Sequence, residues 1–214
     1  MPNDLLEKLA DKSLTKEDLF KIVENNFELL PDIVDGMNSS KASIRYGCGK
    51  VLINLSEKYP EEIYPHMSFF IKLLDSKYRI LIWQSMAIIA NLTKVDDEKI
   101  FDSTFDKYYS LINNDYMVTV ANVVGNSGKI GLYKPYLVDR IVNQLLKVEN
   151  IKTTPHLTDE CKKVISEVVI KSFDMFFESV EDKKQIFDFV KKHTNSSRKT
   201  LKDSALKFLD KHQI

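Results

Sequence analysis

Two cysteines in 214 residues, Cys48 and Cys161, leave no framework of disulfides and no CxxC site for a metal or a redox pair. That fits a reducing compartment, and we expect a cytoplasmic protein. Excess charge is absent too: Lys plus Arg equals Asp plus Glu, 31 against 31, so no global field draws in nucleic acid or an anionic membrane. The charge is mildly polarised, with 4 basic and 9 acidic side chains over residues 1–38 and 14 against 11 over residues 147–214. No apolar run approaches the roughly 20 residues needed to cross a bilayer. The opening MPNDLLEKLADKSL has neither the basic start nor the apolar stretch of a signal peptide. Glycine and proline are scarce, six of each, so there is little punctuation for a chain of many short strands.

What is present is apolar spacing of three and four residues nearly throughout, the pattern of amphipathic helices, with 43% hydrophobic residues to fill a core. The pattern also repeats. SIRYGCGKVLINLSEKYPEEIY (43–64) aligns with ILIWQSMAIIANLTKVDDEKIF (80–101) at a constant offset of 37, setting Tyr46 on Trp83 and Asn54 on Asn91. A third copy, DYMVTVANVVGNSGK (115–129), follows at 35 and sets Asn126 under Asn91. A period of this length, built from a helix hairpin that cannot bury its own apolar face, is the mark of an α-solenoid.

The segment LLDSKYRILIWQSMAIIANL resembles a HEAT repeat: an apolar first helix, an Asp at the turn, then a second helix that opens with an Arg and is rich in small and aliphatic residues. SSKASIRYGCGKVLINL and NSSRKTLKDSALKFLDKH open the same way, with Arg45 and Arg198. The resemblance implies an all-α, right-handed solenoid of about six antiparallel helix pairs. Expected pairs are 3–26, 27–58, 61–94, 97–130, 133–178 and 181–212, in a single domain over 1–214 with a looser joint near 147–158. Thr15 and Asp18 are spaced as a capping box, and Pro155 should end any helix entering its loop.

The run VTVANVVGNSGKIG tempts one to see a phosphate loop. A Walker A motif needs Gly at 123 and Ser or Thr at 130, where this chain has Val123 and Ile130. The glycines are expected instead at a helix end, as a C-cap and turn. Catalytic, cofactor and metal sites are not expected. The four histidines are scattered and none precedes a Glu, unlike the HEAT-repeat iron hydroxylases, and neither HExxH nor GxSxG occurs. Cys48 and Cys161 are expected as buried structural thiols.

At about 100° per residue, Ile44, Cys48, Val51, Leu52 and Leu55 form one arc, matched by Leu81, Ser85, Ile88, Ile89 and Leu92. A merely solvated opposite arc would be charged. It carries instead Tyr46, Gly49, Lys50, Ile53 and Asn54 in one repeat, Trp83, Met86, Ala87, Ala90 and Asn91 in the next, and Val118, Ala121, Asn122, Gly125 and Asn126 in the third. The asparagines resemble the inner-helix ladder of armadillo repeats, which implies amide contacts to the backbone of an extended peptide.

The expected role is therefore a non-enzymatic scaffold or adaptor that holds a protein or peptide on a concave face, through Tyr46, Lys50, Asn54, Trp83, Met86, Asn91, Asn122 and Asn126. The alternative is a DNA-repair enzyme resembling the HEAT-like alkylpurine glycosylases, with Trp83 and Arg79 as contacts. The face lacks the excess of cations that phosphate binding demands.

Overall fold

A computed structural model of the chain describes residues 2–212. Among them the regular structure is helical, in thirteen α-helices: α1 (Pro2–Asp11), α2 (Lys16–Glu24), α3 (Leu30–Gly36), α4 (Ala42–Lys58), α5 (Pro60–Ile63), α6 (Met67–Leu73), α7 (Arg79–Leu92), α8 (Ile100–Ser110), α9 (Met117–Tyr133), α10 (Val138–Leu145), α11 (Asp159–Phe176), α12 (Lys184–Lys192) and α13 (Lys199–Lys211). They fall into six hairpins, α1/α2, α3/α4, α5–α6/α7, α8/α9, α10/α11 and α12/α13, in the positions that the apolar spacing predicts. The architecture is an all-α helical-repeat solenoid.

The hairpins gather into two compact units, one ending at Ser103 and one beginning at Thr104, so that the division falls inside α8. In the first, the second helices α2, α4 and α7 lie side by side. In the second, α9, α11 and α13 do so. The irregular segment 147–158 lies wholly within the second unit.

Local chemistry sets the helix ends. Thr15 Oγ1 accepts from the Asp18 N–H at 3.0 Å while the Asp18 carboxylate accepts from the Thr15 N–H, closing the expected capping box on α2. The stretch EEIYPHMSFFIKLLD, which reads as one helix, is broken into α5, a 3-10 turn over Tyr64–His66, and α6. Pro65 sits in the break because it has no N–H to donate. Asp96, almost fully buried, caps α8: its carboxylate accepts from the N–H groups of Ile100 (2.7 Å) and Phe101 (3.0 Å) and from the Tyr64 hydroxyl (2.7 Å).

The predicted inward arcs are the core. Ile44, Cys48, Val51, Leu52 and Leu55 of α4 and Leu81, Ser85, Ile88, Ile89 and Leu92 of α7 are all buried. Burial pushes the Cys48 thiol up to about 12, so it packs as a small apolar group. Cys161 departs from the expectation of a second buried thiol. It lies half-buried in the first turn of α11, where its N–H donates to the N-cap Thr158 Oγ1 at 3.3 Å.

The glycine-rich run also departs from expectation. Gly125, Gly128 and Gly131 sit inside α9, which continues to Tyr133 and is capped by Lys134, and among the described residues no glycine has positive φ. Their purpose is contact with α11. A Cβ on Gly131 would stand 2.4 Å from the Phe176 ring, and one on Gly128 would stand 2.4 Å from Met175 Sδ and 3.3 Å from Ser172 Cα. Ser172 Oγ donates to the Val124 carbonyl at 2.7 Å, a bond that such an approach permits.

Burial lowers the pKa of two histidines, His66 and His193. His193, the C-cap of α12, packs edge-on against Phe189, and its buried Nε2 has no hydrogen-bond partner among the described residues. A folded pKa below the unfolded value means that charging opposes folding. The neutral-state stability is fully present above about pH 6.5 and is lost as pH falls toward the folded pKa values. Urea denaturation at pH 7.5 and pH 5.5 should therefore give a lower midpoint at the acid pH, and His193→Gln should shrink that difference.

Candidate functional site

The candidate surface of the first unit is the open side of the α4–α7 layer. Two side chains of α7 fasten it to α4. Gln84 Nε2 donates to the Tyr46 carbonyl at 2.9 Å, and Asn91 Nδ2 donates to the Ile53 carbonyl at 3.3 Å and to Ser56 Oγ at 3.0 Å. Gly49 makes room for the first of these: a Cβ there would lie 2.1 Å from Gln84 Oε1.

This bracing sorts the predicted residues. Lys50 and Asn54 are exposed, and Tyr46 and Trp83 are half-buried, flanked by Ile53, Ala87 and the exposed Ile80. Asn54 makes no side-chain hydrogen bond to the described residues, so both ends of its amide face solvent. Asn91, 5% exposed, spends its amide donors on α4, and Met86 is fully buried. Both were expected on the open arc. Asn91 lies inside because α4 leans on the flank of α7 that carries it, a neighbour that helical periodicity alone does not reveal; Met86, about 140° round the helix from Asn91, is buried on a different side.

Arg45 supports one end of this surface. Its guanidinium lies 3.9 Å from the Tyr78 ring centroid and 4.7 Å from that of Tyr46, and Nη1 donates to the carbonyls of Ser39 (2.6 Å) and Ser40 (3.2 Å). Its place near the start of α4 is legible in the repeat. The brace by Gln84 is the functional detail that the sequence conceals, since only the adjacent Gly47-Cys48-Gly49 hints at a close neighbour.

In the second unit, Asn122 and Asn126 lie on α9, half-buried and one turn apart. Asn122 Nδ2 donates back to the Val118 carbonyl at 2.8 Å, and Asn126 Nδ2 to the Asn122 carbonyl at 2.9 Å. Asn126 also hydrogen-bonds to the buried Tyr108 of α8. Among the described residues no group of three or more His, Cys, Asp or Glu is placed to hold a metal ion, and no helix is long and apolar enough to cross a membrane.

No known family and no curated protein matches the sequence. Solved structures do match in shape. Designed armadillo repeat protein YIII(Dq.V1)4CPAF, in complex with the peptide (KR)4, is similar with a TM-score of 0.62 at 13% identity, over 96% of this chain and 90% of that one. Designed armadillo repeat protein YIII(Dq)4CqI is similar with a TM-score of 0.59 at 14% identity, over 96% and 89%. A further engineered protein, target OR329, gives 0.59 at 15% identity, over 98% and 87%. The chain thus has an armadillo-like repeat fold.

Proposed function

We propose that the protein is a non-enzymatic binding module that holds a peptide or partner protein on the open face of its second helices, with Tyr46, Lys50, Asn54 and Trp83 as the principal contacts. The observation that carries this reading is the unspent Asn54 amide lying on the same layer as the half-buried Trp83. An amide with its donor and acceptor both open can pair with a peptide unit without reading its side chain. A partly exposed indole offers a large apolar anchor with one polar edge. The complex of a designed armadillo repeat protein with (KR)4 supports the reading at the level of the fold. Met86 and Asn91 serve this face from behind, as filler and brace.

Affinity capture from the native cell, followed by quantitative mass spectrometry, tests this. Trp83→Ala should reduce the captured partner about tenfold or more, as the loss of an aromatic anchor does, while the far-UV circular dichroism stays unchanged. Equal capture by the two proteins, both folded, removes this face from the account.

A further inference from the structure

The second unit carries its own unpartnered surface, on the open side of α9, α11 and α13. Val118 (44% exposed) and Leu132 (51%) of α9 stand fourteen residues apart, with the side-chain-free Gly125 midway, so all three share one stripe at heptad spacing. Val168 of α11 borders Gly125, and Met175 of α11, 43% exposed, lies against Gly128. The result is a largely apolar valley, about 21 Å long from Val118 to Leu132 at 1.5 Å per residue, with a hole at Gly125 where a side chain could enter and with Asn122 and Lys129 on the same side of α9.

The far side of α11 carries three lysines and two carboxylates, Glu167 and Asp174, a small excess of positive charge. A cavity of about 180 Å³ between α11 and α13 has Ile170 and Phe208 in its wall and Lys171, Lys207 and Lys211 around it. Two of these lysines face carboxylates: Lys171 pairs with Glu167 at 2.6 Å and Lys211 with Asp174 at 2.7 Å. Asp174 is engaged further by His212 Nε2 at 2.8 Å, and Glu167 by Thr200 Oγ1 at 2.6 Å and by Arg198. α13 itself carries two carboxylates, Asp203, which pairs with Lys199, and Asp210. Lys207 has no acidic partner among the described residues, and the residues from 147 onward carry 14 basic side chains against 11 acidic.

We propose that this surface docks an acidic amphipathic helix of a partner protein, with the helix's apolar side in the α9–α11 valley and its carboxylates toward Lys171, Lys207 and Lys211. An apolar strip bounded on one flank by cations fits a ligand with the mirrored pattern. The seven-residue spacing of Val118, Gly125 and Leu132 matches the repeat of a helix laid along it, and an extended strand has no such period. Met175 suits the junction because its unbranched thioether adapts to the knob it meets. This surface is independent of the face on α4 and α7.

The test uses the full chain and a fluorescent 20-residue helical peptide with leucines at heptad spacing and glutamates on one flank, read by anisotropy. The same peptide with lysine for glutamate, and a scrambled acidic peptide, serve as comparisons. The acidic helix should bind and both comparisons should not. Leu132→Glu should weaken binding about tenfold and Lys207→Glu about threefold, with added salt eroding the second contribution, while Trp83→Ala leaves the affinity unchanged. Both positions are exposed, and unchanged circular dichroism verifies folding. Equal binding of the lysine peptide, or insensitivity to both substitutions, overturns the proposal. So does binding to phosphatidylserine vesicles in place of the peptide, which makes the face a membrane site. A dimer in sedimentation that Leu132→Glu dissolves assigns the face to a second copy of this chain and equally overturns it.

Discussion

Asp96→Ala is expected to lower the unfolding free energy by about 3 kcal/mol, the cost of leaving buried donors without a charged acceptor at a helix N-terminus. The carboxylate serves three donors at once, the N–H groups of Ile100 and Phe101 and the Tyr64 hydroxyl, and is itself 4% exposed. Burial and the neighbouring carboxylate both raise the Tyr64 pKa, so the phenol stays a donor across the working pH range. Asp96→Asn keeps an acceptor oxygen for Ile100 and Tyr64 but sets its NH2 against the Phe101 N–H and loses the charge, so it should still cost about 2 kcal/mol. Urea denaturation monitored by circular dichroism checks both. A loss below about 1 kcal/mol for Asp96→Ala would mean that the three bonds are replaceable by solvent.

Gly131→Val should cost about 3 kcal/mol by overpacking, because the new side chain must displace the buried Phe176 ring, 2.4 Å from where its Cβ would stand. Gly125→Ala should do the opposite. Its Cβ would meet only Val168 Cγ1, at 3.3 Å, a half-buried methyl beside an exposed position that needs to yield by only a few tenths of an ångström, and removing a glycine from a helix interior stabilises by about 0.5–1 kcal/mol. The sign difference between two glycines of one run separates close helix packing from a cap or a ligand loop. A helix-end cap would make both substitutions costly through backbone strain.

These glycines also mark the limit of what the sequence discloses. The repeat register at offsets of 37 and 35 aligns three of the hairpins, and the spacing of apolar residues locates all six, because it records which side of each helix is covered. It does not record what covers it. The glycines of α9 read as a terminus because glycine weakens an isolated helix, whereas here α11 fills the space they leave. Asn91 and Asn54 align in register, yet one is a buried brace to Ser56 and the other is open. The difference lies in α4 packing on one flank of α7, a tertiary fact absent from either segment. Tyr46, Lys50, Asn54 and Trp83 are legible as an arc with few charges; Lys50 and Asn54 are exposed in the structure, and Tyr46 and Trp83 are half-buried.

Trp83 is the only tryptophan in the chain, so its emission reports directly on the proposed face. The decisive measurement is the fluorescence of the full-length protein titrated with the partner recovered by affinity capture, with acrylamide quenching at each end point. Occupation of the α4–α7 face predicts a blue shift and a fall in the quenching constant that saturate with binding, because a half-buried indole becomes fully covered. Saturated binding with emission and quenching unchanged would contradict the account.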